Sequence, residues 1–353
     1  MNGDFLTEFY IASCVPEPDG GAVLFGLRED GSLSELGRIP MPSPGWCALR
    51  NGRIAAAVTD PEAGESYAEY SILSGRRLRG PVPSRGVSFC HFAADGDDVY
   101  CANYTTGSVL HIRGTDAALT EHRVPDDGAL GPDKGRQERP HCHQCIFSPD
   151  RRFVLVCDLG LDAVFVYDRD MTLVSKANVP AGHGARHSVF SPDGRTLYTL
   201  SEMASSLTLF DWDGTRGILT PLETVSFRPQ FPELTRTVGS PYSPERIDPE
   251  RLTDAASVVI SHDGRRLYCS NRGSANTVAS VALDGNGRNP KVLSQTPSGG
   301  NHPRAIGLLA DDRFLAVCNT FSHNLTIFRA DPDGTLTHLS DTPVPRPQWI
   351  EEV

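Results

Sequence analysis

A strand-turn-strand unit built around a short polar turn recurs along this 353-residue chain, and a repeat of that kind limits the possible folds more than any other feature. It is clearest in HCHQCIFSPDRRFVLVCDLGLDAVFVYD, from His141, and in ARHSVFSPDGRTLYTLSEMASSLTLFDWD, from Ala185. In the second, Ser191-Pro192-Asp193-Gly194 has a proline preset for a type I turn and a glycine to close it, so the flanking runs join as antiparallel strands. Those runs (Phe153 to Cys157, Ala163 to Tyr167, Leu207 to Phe210) are largely apolar rather than alternating, as in a sheet covered on both faces. They are too short for a helix, are rich in β-branched and aromatic residues, and end in turn residues.

With the turn aspartate as the register mark, the unit recurs at Asp95, Asp150, Asp193, Asp263 and Asp311, at intervals of 55, 43, 70 and 48 residues. A weaker copy, LRNGRIAAAVTD, surrounds Asn51. Repeats of about 40 to 50 residues are what the four-stranded blades of a propeller require. A further blade must come from the termini, with FYIASCV and AVLFGLRED as outer strands and PQWIEEV as the last strand, which leaves no free sheet edge. The expected fold is therefore all-β: a seven-bladed β-propeller forming one domain over 1–353, its ring closed by strands from both termini. The long interval holds a proline-rich insertion at about 228–254, read as a loop over one mouth.

The net charge of -11 and the absence of any Lys/Arg-rich run argue against nucleic acid as a partner. The N-terminus has neither a basic segment nor a continuous apolar one, and nowhere do 18 apolar residues run together, so neither secretion nor a membrane is implied. Nine cysteines, an odd number and several inside apolar runs, read as buried thiols of a cytoplasmic protein. His141, Cys142, His143 and Cys145 alternate as metal ligands can, but no paired Cys-x-x-Cys follows, so no metal and no cofactor is expected. A monomer or weak dimer is the expected state.

Superposing the copies isolates positions where the chemistry varies although the scaffold needs only a strand end. Seven residues before the turn aspartate stand His143, Arg186 and Arg304. At the end of the following strand stand Asp60, Glu202 and Arg272 in one equivalent position, with Asn103, Asp158, Asn271 and Asn319 in the position before it. In an antiparallel pair the start of one strand and the end of the next lie together, so these residues should gather at one mouth of the channel, where small ligands bind. The Asn and Asp residues also suit turn capping. His302, His187 and His91 stand beside mouth positions. No nucleophile elbow and no phosphate-binding glycine loop occurs.

The stretches RPHCHQCIFSPDRRFVLVCDLGLDAVFVYD, GHGARHSVFSPDGRTLYTLSEMASSLTLF, LYCSNRGSANTV and NHPRAIGLLADDRFLAVCNTFSHNLTIFRADPDG, in this order, resemble the seven-bladed lactonase propellers. That family includes bacterial 6-phosphogluconolactonase and fungal carboxy-cis,cis-muconate lactonising enzyme. The resemblance implies that His143, Arg186, Glu202 and Arg272 match the residues proposed as the family's active site, and that Arg304 matches a further family position. Where phosphogluconolactonase-like members carry a Glu and a His before the sixth blade's turn, this chain has Ser257 and Val259.

The expected activity is metal-independent hydrolysis of a small anionic sugar or aldonic lactone. Glu202 or His143 would be the base and Arg186 the oxyanion partner. Arg272 and Arg304 would hold a carboxylate or phosphate, with His302, Asn319, His187 and Asp60 completing the substrate side. Cyclisation of a carboxymuconate by the same ring, and a non-catalytic propeller that binds a protein partner, are the two other readings.

Overall fold

The computed structural model describes residues 5–86, 88–114, 118–123, 130–229 and 253–353. The proline-rich insertion expected at 228–254 falls, from 230 to 252, outside the described residues.

Among the described residues every regular element is a strand. In chain order they are β1 (Thr7–Ser13), β2 (Gly21–Leu27) and β3 (Leu33–Pro40); β4 (Cys47–Arg50), β5 (Arg53–Asp60), β6 (Gly64–Ser71) and β7 (Arg77–Pro83); then β8 (Phe89–Asp95), β9 (Asp98–Asn103), β10 (Ser108–Arg113) and β11 (Ala118–Arg123). There follow β12 (Cys142–Phe147), β13 (Phe153–Asp158), β14 (Ala163–Asp168) and β15 (Leu173–Asn178), and β16 (Ala185–Phe190), β17 (Thr196–Ser201), β18 (Ser206–Asp213) and β19 (Ile218–Ser226). The last are β20 (Ala255–Ile260), β21 (Arg266–Asn271), β22 (Thr277–Ala282), β23 (Lys291–Pro297), β24 (Pro303–Leu309), β25 (Phe314–Asn319), β26 (Asn324–Ala330), β27 (Leu336–Pro343) and β28 (Pro347–Glu352). They make seven four-stranded sheets, six of consecutive strands and one of order β28-β1-β2-β3. The sheet shared by the termini is the arrangement the sequence led us to expect.

The chain divides into two compact units. The first comprises Met1–Pro83, Asn276–Ser280 and Leu293–Val353, and contains the sheets β28-β1-β2-β3, β4 to β7 and β24 to β27. Its apolar cores lie between successive sheets: Phe9, Ile11 and Val23 pack with Phe314, Cys318 and Leu325, and Tyr10 and Trp349 pack with Ile54 and Ala68. The second comprises Ser84–Ala275 and Val281–Val292, with the sheets β8 to β11, β12 to β15 and β16 to β19 and the pair β20–β21. There Tyr100 and Val109 pack against Val154 and Phe165, and Leu155 and Val164 against Leu197 and Phe210. A strand packed on both sides is apolar at every position, and β13 is buried from end to end.

The repeated turn is held by its own side chains. Ser148 Oγ donates to Asp150 Oδ1 (2.6 Å) and accepts from Phe153 N (3.0 Å), while Arg152 N donates to the same carboxylate oxygen (3.1 Å). Ser261 and Asp263 repeat the pattern toward Arg266 N and Arg265 N, both 3.0 Å. In the weaker copy Asn51 and Gly52 sit at φ 43° and 75°, left-handed at both central positions as a two-residue type I′ hairpin demands.

The opening strand of five sheets carries a one-residue register shift near its start. It falls between Phe89 and His91 in β8, Cys142 and Gln144 in β12, Ala185 and His187 in β16, Ala255 and Val258 in β20, and Pro303 and Ala305 in β24. The skipped residues in β8, β12, β16 and β24 are Cys90, His143, Arg186 and Arg304. A bulge frees one residue from the ladder and re-aims its side chain. The positions picked out seven residues before the turn aspartate are thus the bulged ones. In β8 the hairpin is shorter, which is why Asp95 as a mark does not lead to Cys90 by the same count.

Candidate functional site

In the second unit the bulge of β16 and the residue after β17 meet. Glu202 N donates to Gly184 O (2.8 Å), which sets the glutamate beside Arg186, and Arg186 Nε donates to Glu202 Oε2 at 2.8 Å. Arg272 stands in the same place after β21, its N–H on Asp254 O (2.7 Å); its Nη2 lies 3.0 Å from Glu202 Oε2 and 3.2 Å from Ala255 O. A third guanidinium, that of Arg136, donates from Nη2 to Glu202 Oε1 and lies 3.4 Å from Tyr104 Oη. Arg186 Nη1 also donates to Ala256 O. None of the four charged side chains is more than 5% exposed.

Three cations on one buried carboxylate set its charge state. Burial alone would raise the pKa of Glu202, but Arg272, Arg136, Arg186 and His143 together hold it well below the ordinary carboxylate range. Burial would likewise lower the pKa of Arg136, and Glu202, Tyr104 and Asp254 reverse that. Both oxygens of Glu202 are occupied, so the residue is placed as the counter-ion of the arginines.

His143, at the bulge of β12, stands edge-on to Tyr104 (5.6 Å between ring centres) and to His187 (5.2 Å), and His187 stands edge-on to His91 (5.6 Å). Burial, with Arg186 adding to it, pushes the His91 pKa down to about 3, so this imidazole is neutral at physiological pH. Cys90, at the neighbouring bulge, donates its thiol to His143 O at 3.2 Å. His141 instead turns to Tyr104 O (3.0 Å) and Glu138 (3.2 Å), and Cys142 to Asp158, so the His-Cys-His run does not converge on one point.

Of the residues singled out in the sequence, the second unit brings together His143, Arg186, Glu202 and Arg272, with His187 in the adjoining imidazole row. Arg304, His302, Asn319 and Asp60 belong to the first unit. There Asp60 Oδ1 accepts from the backbone of Glu62 and Ala63 (both 3.0 Å) and Oδ2 from Arg77 (3.1 Å), the bonds of a turn cap. Asn319 Nδ2 donates to Ser298 O (2.9 Å), and Asn103 Nδ2 in the second unit does the same to Ser84 O (3.1 Å); both tie a strand end to the preceding linker. His302 stacks on Phe321 at 3.9 Å, and Arg304, half-buried, counteracts the rise that burial imposes on the Cys14 thiol.

Sequence reasoning passed over three members of the cluster. Tyr104 was within reach: its N–H donates to Ser88 O (3.0 Å) just as Glu202 bonds Gly184, so it occupies the Glu202 position of its own sheet, directly after Asn103. Asp254, at the foot of β20, stands where Gly184 stands before β16. Arg136 lies in the loop before β12 and has no place in the repeat, so no register points to it.

The sequence matches the family model Lactonase, 7-bladed beta-propeller, over residues 8–352. It is 26% identical over 319 residues to the 6-phosphogluconolactonase of Bacillus subtilis, covering 85% of this chain and 80% of that protein. An uncharacterised protein of Lactococcus lactis is 30% identical over 266 residues, 73% of this chain and 72% of the relative. Among solved structures, a protein from Lactobacillus plantarum superposes with a TM-score of 0.81 at 25% identity, covering 98% of this chain and 99% of the other. A periplasmic gluconolactonase of Pseudomonas aeruginosa superposes with the same score at 23% identity and the same coverage, a likeness of fold. With its seven four-stranded sheets and a family match from near one end to the other, the chain belongs to the lactonase family of seven-bladed β-propellers.

Proposed function

We propose that this protein hydrolyses the ester bond of a small anionic sugar or aldonic lactone at the cluster around Glu202. The observation that carries the reading is the set of three guanidiniums, from Arg136, Arg186 and Arg272, fixed on one buried carboxylate. Lactone opening builds negative charge on the carbonyl oxygen, and prepositioned cations in a water-poor site stabilise that charge without reorganising. The likeness to the Bacillus subtilis protein named 6-phosphogluconolactonase supports a sugar lactone as the class of ester.

In the proposed reaction a water attacks the lactone carbonyl and gives its proton to His143. Arg186 and Arg272 hold the oxyanion, the acyl C–O bond breaks, and the proton passes from His143 to the ring alkoxide, leaving a hydroxy acid. His143 is preferred to Glu202 as base, because both Glu202 oxygens already bind guanidiniums and a carboxylate so stabilised is a weak base.

The test is a pH-stat assay of 6-phosphogluconolactone and δ-gluconolactone with the wild-type protein and Arg186→Gln. Turnover of at least one lactone, with kcat lowered about 10² to 10³-fold in the variant, is expected. Background rates on both, with disappearance of a carboxymuconate instead, would transfer the site to the cyclisation reaction.

A further inference from the structure

Arg136 reaches the site by a different route from its partners. Its own N–H and that of Gln137 donate to Asp133 O (3.0 and 2.7 Å), Gly131 N donates to Gly160 O (2.9 Å), and Gln137 Nε2 donates to Leu159 O (2.9 Å). The guanidinium is thereby presented by a loop fastened to the residues that follow β13, whereas Arg186 and Arg272 rise from strand ends. The carboxylate is divided accordingly. Arg186 and Arg272 share Oε2, and Arg136 takes Oε1, with the Tyr104 hydroxyl 3.4 Å from the same Nη2.

A carboxylate with one free oxygen can rotate, accept a proton or attack a carbonyl; one with both oxygens in charge-assisted bonds is held in orientation, and its remaining lone pairs are poorer bases and nucleophiles. We infer that Arg136 is a positioning residue of this site: by occupying the second oxygen of Glu202 it keeps that group a fixed counter-ion and leaves proton transfer to His143. The chemical meaning of this role rests on the hydrolase reading above, but the role itself can be measured without substrate. The groups facing Glu202 are Arg186 from β16, Arg272 from beyond β21, His143 from β12 and Arg136 from the loop, with Tyr104 and Asp254 acting on Arg136.

The decisive measurement is the titration of the Glu202 carboxyl by difference infrared spectroscopy, its band identified by its loss in Glu202→Gln. In wild type the group should stay ionised to the acid limit of the native fold. In Arg136→Met its titration should come up into the native range, since an adjacent opposite charge lowers a carboxyl by about 1 to 3 pH units, and Arg136→Lys should return most of it below that range. Tyr104→Phe, which only loosens the orientation of Arg136, should give a smaller rise of the same sign, and it carries the test should the methionine variant not fold. An unchanged titration in the folded variants overturns the inference. A wild-type protein inert toward lactones would sink the hydrolase reading while the infrared titration still decides the role of Arg136.

Discussion

Glu202 shows how one side chain can carry the charge balance of a buried cluster. Three buried guanidiniums are tolerable in a protein interior only while a counter-charge is present, and taking away one partner of such a cluster is typically destabilising by about 3 to 5 kcal/mol. Glu202→Gln keeps the shape and removes the charge. Its unfolding free energy at neutral pH, read from urea transitions, should fall by an amount in that range, and a value equal to wild type would mean that the arginines are neutralised by other groups. The pH dependence has a definite sign. Because the folded-state pKa is depressed, the stabilisation is complete above the unfolded value of about 4.3 and is lost as pH falls through the lower, folded one. The glutamine variant should lack that acid-side loss. At this scale the site was half legible in the sequence. Glu202, Arg186 and Arg272 follow from register, and Tyr104 would have followed from the same count taken one residue past Asn103. Arg136 could not, because a loop residue has no periodic neighbour to be compared with.

At the scale of elements, the bulge explains why the register mark worked. An extra residue near the start of β12, β16 and β24 turns one side chain out of the ladder at the same height in each sheet, and the sequence assigned those heights to His143, Arg186 and Arg304. The strands themselves were legible because their apolar runs are unbroken. The bulges were not, since nothing in the local composition marks the extra residue. The terminal strand β28 carries a second consequence. Glu351 accepts a hydrogen bond from Leu49 N at 3.1 Å, yet burial outweighs that bond and pushes its pKa up to about 7. Between about 4.3, where the unfolded chain releases this proton, and about 7 the native state binds more protons, so stability falls as pH rises through that window. Glu351→Gln should match wild type at the acid end and exceed it above neutrality by up to about 4 kcal/mol of unfolding free energy, read from urea transitions across that range. Parallel curves for the two proteins would show that Glu351 does not hold its proton.

For the molecule as a whole, the seven-sheet count was readable because each sheet repeats one turn and one apolar pattern, and the blade assembled from both termini was forced by arithmetic rather than by any motif of its own. That blade gives the sharpest test of how the fold is held. β28 pairs with β1 from Phe9↔Glu352 to Ser13↔Pro347, Trp349 is 2% exposed among Tyr10, Ala12 and Ile54, Thr320 donates to Pro347 O (2.7 Å), and Ala310 N donates to Glu352 (2.8 Å). Losing a buried tryptophan alone costs about 3 to 5 kcal/mol, against a total stability of about 5 to 15 kcal/mol for a typical protein. Removing Pro347–Val353 would also strip β1 of its partner and expose a row of unpaired N–H and C=O groups, a template for association with other chains. The shortened chain should therefore elute as aggregate in size-exclusion chromatography and show no cooperative urea transition. A monodisperse product that melts cooperatively would mean that the C-terminal strand is dispensable and that the sheets of the first unit are stable without it.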